Sequence, residues 1–207
     1  MALEVKDDFC EAAAMVDTGP AGSTTKEADV DESPLEELKR LHTRVDDETA
    51  DLVRRHVDRL QCAAGCCECC VDDITVFEIE AERIRRRHAD FLSGGTPHPV
   101  GRCAFLDERG SCRIYEDRPY VCRTQGLPLR WLEDDQGGRT VEFRDICPLN
   151  ASPSRPVESL TEEDCWTIGP VEGDLARIQI EFGGNLRRLR LRDLFGAPDP
   201  PDIKRRT

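Results

Sequence analysis

Aromatic side chains make up only 5% of this 207-residue chain, so large rings cannot supply most of its core. No apolar run approaches the roughly 20 residues that a membrane span requires. The opening stretch, MALEVKDDFCEAAAMVD, puts Lys6, Asp7, Asp8 and Glu11 where an export signal needs an apolar segment. A soluble protein of the reducing cytoplasm is the expectation, with no membrane partner. Cationic excess is lacking too: the net charge is −13, and such a chain repels phosphate backbones, which argues against a nucleic-acid partner. The local run RIRRR at 83–87 reads as a solvated helix face. No Ser–His–Asp order, phosphate loop or paired-carboxylate motif stands out, so catalytic residues stay unassigned. A protein partner is left open.

Cysteine is abundant instead. There are 11: Cys10, Cys62, Cys66, Cys67, Cys69, Cys70, Cys103, Cys112, Cys122, Cys147 and Cys165. A disulfide scaffold belongs to small secreted chains. An odd number of thiols in a larger chain without an export signal points to metal ligation.

Residues 1–32 hold nine acids and two lysines, a net −7, leaving −6 for the rest. With few large apolar residues, this stretch reads as a disordered acidic tail, and Cys10 within it as a bystander. From Ser33 the pattern changes. Ser33 as N-cap, Pro34 at the first helical position and Glu36 in a capping box open an amphipathic helix over about 34–60. Its stripe runs through Leu35, Leu38, Leu41, Val45, Leu52, Val53, Val57 and Leu60. A second helix is expected over 76–92, capped by Thr75 and Glu78 and stopped at Gly94–Gly95. Residues 103–115 read as a hairpin, RPYVCR as one helical turn, and LPLRWL with RTVEFRDI as a second hairpin. ESLTEEDCW is a short helix candidate, and GDLARIQIEF a helix ended by Gly183–Gly184. The expected architecture is α+β, with a metal-organised domain over 33–197, a motif core at 62–123 and a flexible tail at 198–207.

Residues 62–70 read CAAGCCECC. Cys66 and Cys69 are spaced C-x-x-C, as are Cys67 and Cys70, and Gly65 suits a tight turn toward a metal. Zinc takes four thiolates in a tetrahedron, and iron–sulfur clusters commonly take four cysteines. Side chains of the neighbours Cys69 and Cys70 are expected to diverge, which favours two centres, or one cluster with a second site or spare thiolate. Cys103, Cys112 and Cys122 are spaced to return as remote ligands, and Cys147 precedes Pro148 as some final ferredoxin ligands do. The predicted ligands are therefore Cys62, Cys66, Cys69, Cys70, Cys103, Cys112, Cys122 and Cys147. Arg102, Arg113 and Arg123 each adjoin a cysteine and Arg118 lies four residues before Cys122, and Arg118 and Arg123 are candidates to support the bound cofactor by offsetting thiolate charge. His88 and His98 read as a solvated helix end and a loop. Trp166 and Tyr115 read as packing residues, with the Tyr115 hydroxyl on a backbone partner.

The stretch CAAGCCECCVDDITVFEIEAERI followed by CAFLDERGSCRIYEDRPYVCR resembles the CxxCxxCC family of zinc- or iron-chelating proteins. Cys62, Cys66, Cys69 and Cys70 match the first part of that pattern. Cys103, Phe105, Leu106, Cys112, Ile114, Tyr115, Arg118, Pro119, Cys122 and Arg123 match the second. Cys67 departs from it and is a spare thiol or substitute ligand. The resemblance implies a metal site, either an iron–sulfur centre (four-iron, four-sulfur favoured) for electron transfer, sensing or use as a cofactor, or a structural zinc in an interaction module. Some relatives of this cysteine pattern are flagellin lysine methylases with an iron–sulfur centre, which makes a protein-modifying enzyme a further alternative. No glycine-rich methyl-donor fingerprint accompanies the motif here.

Overall fold

The computed structural model describes residues 33–135 and 137–196, so the acidic tail, Cys10 and the C-terminal tail lie outside the described residues. Helix α1 (Pro34–Arg55) buries Leu38, Leu41, His42, Val45, Thr49 and Leu52, a spacing of three, four and seven that lines one helical face. Ser33 is extended, and its carbonyl accepts the Glu36 N–H at 2.9 Å. Its side chain makes no capping bond. The helix stops five residues short of the sequence expectation. His56 leaves helical geometry, and its buried ring donates from Nε2 to the Asp164 carbonyl at 2.7 Å.

The second expected helix is divided. Thr75–Phe77 form strand β1, helix α2 runs Glu78–Arg87, and helix α3 runs Ala89–Gly94. The β-branched Thr75 and Val76 are drawn into a sheet with strand β5 (Arg188–Arg190), antiparallel with Val76 opposite Leu189. The predicted Thr75–Glu78 cap therefore does not form. Phe77 precedes the helix, and its N–H reaches Glu80 Oε2 at 3.3 Å. The break between α2 and α3 falls at His88, whose Nε2 sits 3.0 Å from Asp117 Oδ2. His88 is thus a paired, partly buried residue and not a solvated end.

The 103–115 hairpin shrinks to one bridge, Leu106 to Cys112. Asp107 Oδ1 accepts the Arg109 and Ser111 N–H groups, each at 2.8 Å, and closes the loop as an Asx turn. Helix α4 (Tyr120–Thr124) is the expected single turn. Strands β2 (Leu129–Asp134) and β3 (Thr140–Asp145) form the second hairpin with Trp131 opposite Phe143, and β2 also pairs in parallel with β4 (Trp166–Thr167). Residues 157–164 make two 3₁₀ turns where a helix was expected. Helix α5 (Pro170–Gly183) ends at left-handed Gly184.

Two apolar clusters organise these elements. One joins α1, α5, Ile79, Tyr120 and Trp166, with Trp166 Nε1 donating to the Tyr120 hydroxyl at 2.9 Å. The other gathers Val76, Ile84, Leu92, Phe105, Ile114, Leu191 and Leu194 around Cys103, with Cys67, Cys70 and Cys112 packed against it. Tyr115 is exposed, its ring under the Arg118 guanidinium at 4.1 Å, contrary to the packed position expected.

Candidate metal centre

The segment 62–70 folds as two successive tight turns. Cys66 N–H donates to the Ala63 carbonyl at 3.0 Å, and Cys70 N–H to the Cys67 carbonyl at 3.0 Å. The first turn docks on the 107–111 loop. A Cβ on Gly110 would stand 3.0 Å from the Gly65 carbonyl oxygen and 3.2 Å from Cys67 Sγ. Both glycines have positive φ, +84° and +79°, which side chains tolerate poorly. The second turn is tied to the remote motif by the Cys103 N–H, which donates to the Cys70 carbonyl at 2.9 Å.

The tie is reinforced from the C-terminal side. Arg192 meets Asp72 at 2.5 Å and donates to the carbonyls of His98 (2.8 Å), Pro99 (3.3 Å) and Arg102 (2.9 Å). Asp72 also accepts the Gly101 N–H at 3.0 Å. His98 serves this clamp through its backbone.

These ties bring five sulfurs from three segments into electrostatic contact. Cys70 feels the charges of Cys69, Cys103 and Cys122, and Cys122 those of Cys103, Cys112 and Cys69. A hydrogen bond from Cys70 pulls the Cys69 thiol down to about 6. The same bond, then burial, pushes Cys70 up, so the pair gives up one proton readily and holds the second. Burial pushes Cys103, Cys112 and Cys122 up, and at Cys122 the thiols of Cys103 and Cys112 and the carboxylate of Glu80 add to it.

All ten described cysteines are free. Among the described residues, no three Cys, His, Asp or Glu side chains are gathered closely enough to hold a metal ion as they stand.

The other predicted ligands have neighbours of their own. Cys66 is half-buried on the first turn. Cys62 is exposed, with its sulfur beside Gly126 and 3.4 Å from Asn150 Nδ2. Cys147 opens the 3₁₀ turn Pro148–Asn150, its carbonyl accepting the Asn150 N–H at 2.8 Å. Cys67 lies under Arg102, whose Nη1 reaches its sulfur at 2.9 Å. Cys165 is buried far along the chain with Val157 and Leu160.

The arginines divide in the same way. Arg118 and Arg113 favour the charged form of Cys112. Arg123, the other candidate for supporting a cofactor, is buried and paired with Asp46 and the Glu116 carbonyl rather than with a sulfur. Three functional candidates escaped the sequence reading: Glu80, Asn150 and Arg192. Glu80 is buried, accepting the Tyr120 N–H at 2.8 Å and facing His42 Nε2 at 3.4 Å. A lone acid on a helix face and a lone Asn after Pro148–Leu149 carry no sequence signal.

A family model described as "CxxCxxCC: Putative zinc- or iron-chelating domain" matches residues 61–148. Over residues 61–148 the chain is similar to the CxxCxxCC family. No curated protein and no solved structure matches the chain. The CxxCxxCC segment begins one residue before Cys62 and ends one after Cys147, so it encloses all eight cysteines predicted as ligands and leaves out Cys165. Its family description supports binding of zinc or iron. Among the described residues, no helix is long and apolar enough to cross a membrane.

Proposed function

We propose that the CxxCxxCC segment holds an iron–sulfur centre of the four-iron, four-sulfur type, ligated within Cys62, Cys66, Cys69, Cys70, Cys103, Cys112, Cys122 and Cys147, and used for electron transfer or sensing. The observation that carries this reading is the backbone tie of Cys103 to Cys70, with Cys67, Cys70 and Cys112 packed against the cluster that contains Cys103. Buried thiols at this density repel one another once ionised, and a bound cation offsets that repulsion and lowers each pKa. A zinc ion and a four-iron cluster each take four thiolates, and the nine cysteines of the matched segment are enough for two such sites. A centre of this kind supplies reversible one-electron chemistry, its potential tuned by charge and hydrogen bonds to sulfur. In this chain Arg113 and Arg118 supply charge near Cys112, and Arg102 meets Cys67. Free thiols throughout the described residues suit a reducing cytoplasm.

Purification of the full chain without oxygen tests the proposal. Expected are brown protein, absorption bleached by dithionite, and iron with inorganic sulfide on elemental analysis. Colourless protein with stoichiometric zinc would replace the cluster with a structural zinc site.

A further inference from the structure

Asn150 lies two residues beyond the matched family segment, yet it is 1% exposed and joins three separate parts of the chain. Its Oδ1 accepts the Gln61 N–H at 2.7 Å. Its Nδ2 donates to the Gly126 carbonyl at 2.7 Å and to Cys62 Sγ at 3.4 Å. Its own N–H bonds the Cys147 carbonyl at 2.8 Å. One side chain therefore meets the first predicted ligand and, through the backbone, the last.

The space around the Cys62 sulfur is shaped to match. A Cβ at Gly126 would fall 2.7 Å from Cys62 Sγ and 3.5 Å from Asn150 Nδ2, closer to the sulfur than real Cβ atoms approach. Gly126 also has φ of +91°, where a side chain is strained. Cys62 is thus set in a notch between a bare backbone and an amide donor, although the residue as a whole is exposed. An N–H aimed at sulfur restrains where that sulfur sits, and such outer partners orient a ligand and tune the metal.

We infer that Asn150 is the positioning residue for Cys62, fixing its sulfur relative to the Cys147 turn. The inference rests on the metal-binding reading above. Asn150 has both ends of its amide in use. One end fixes the strand of chain entering the cysteine turn, and the other reaches the sulfur. Loss of the amide frees Cys62 to swing into solvent.

A double-mutant cycle on the full chain separates this role from simple packing. Metal affinity would be measured by chelator competition for wild type, Asn150→Ala, Cys62→Ser and the double variant. Asn150→Ala is expected to weaken binding by about 10- to 100-fold, the usual cost of removing an outer partner. The double variant is expected to bind no more weakly than Cys62→Ser alone. Affinity unchanged in Asn150→Ala, or the full loss repeated in the Cys62→Ser background, would overturn the role. Asn150→Asp keeps the acceptor for Gln61 N–H but lacks the ionised-state donor, and it carries the same cycle if the alanine variant fails to fold. In loaded Asn150→Asp the sulfur-to-metal absorption band is expected to shift, and an unmoved band counts against the N–H···S contact. Wild type purified without any metal would instead sink the metal reading itself, a result distinct from metal-loaded wild type that is indifferent to Asn150.

Discussion

The backbone N–H of Cys103 donates to the carbonyl oxygen of Cys70 at 2.9 Å, joining two motifs 33 positions apart at the backbone rather than through their sulfurs alone. Carbonyl and amide hold the two backbones side by side, so the segments are neighbours before any metal arrives, although their thiols still have to close in to grip one. Replacement of a thiol in this group should therefore cost binding without erasing the framework. Cys70→Ser and Cys122→Ser are each expected to weaken metal binding by more than the ~10- to 100-fold typical of outer-partner losses. Cys10→Ser is expected to leave it unchanged. Metal-to-protein ratios after dialysis against a chelator check both. Full retention in Cys70→Ser would remove Cys70 from the ligands.

The contact between the Gly65 turn and the Gly110 loop is a backbone-to-backbone approach. Alanine at Gly110 would meet the Gly65 carbonyl oxygen at 3.0 Å and Cys67 Sγ at 3.2 Å while adopting φ of +79°. Strain of this kind costs about 1–3 kcal/mol. Gly110→Ala is expected to lower stability in denaturant titration by that amount and to weaken metal binding as well, because the turn carrying Cys66 and Cys67 must retreat. Gly138→Ala, with φ of +75° and open space around its Cβ, is the control: strained but remote, it should spare the metal.

Acid should destabilise the fold in two stages. Burial lowers the His42 pKa below 6.5, against the opposing pull of Glu80. The folded state keeps His42 neutral while the unfolded chain takes up a proton, so stability falls as pH drops past 6.5. At Asp117 burial opposes ionisation, but His88, Arg87 and Arg83 outweigh it and hold the carboxyl below 3.8. Asp72 is held low by its bond to Arg192. Their contribution is intact above 3.8 and is lost as pH falls further. Thermal melts from pH 8 to 3 are expected to show both declines, and His42→Gln is expected to remove the first. A melt equally steep between pH 7 and 5 in that variant would show the proton goes elsewhere.

What the sequence disclosed and what it hid differ by the range of the interactions. The α1 stripe of Leu38, Leu41, Val45 and Leu52 was readable because a helix buries residues at fixed local spacing. The β2–β3 hairpin was readable from two β-rich runs around a Gly-containing turn. Val76 was not readable as a strand residue, since its partner Leu189 lies 113 positions away and only the pairing decides its state. The cysteine spacings marked the segment that the family model matches. The supporting cast did not show, because Glu80, Asn150 and Arg192 acquire their roles only when Tyr120, Gly126 and Asp72 are carried to them by the fold.

Metal removal should loosen the protein unevenly. The cluster of α1, α5, Tyr120 and Trp166 contains no cysteine, and its burial does not depend on sulfur chemistry. The second cluster is built around Cys103, with Cys67, Cys70 and Cys112 against it, and burial already opposes ionisation of Cys103, Cys112 and Cys122. A metal bound at these thiolates would hold them together, and its binding free energy would be folding free energy for whatever they anchor. Hydrogen exchange read by mass spectrometry, on protein with and without metal, is expected to show amides of 63–71 and 103–123 exchanging faster once the metal is gone, while Leu38–Leu52 and Val171–Ile178 keep their protection. Equal loss across both clusters would mean that the sulfur site organises the whole chain. No loss in 103–123 would mean that the Cys103–Cys70 backbone bond and the Arg192 clamp hold the segments without any metal.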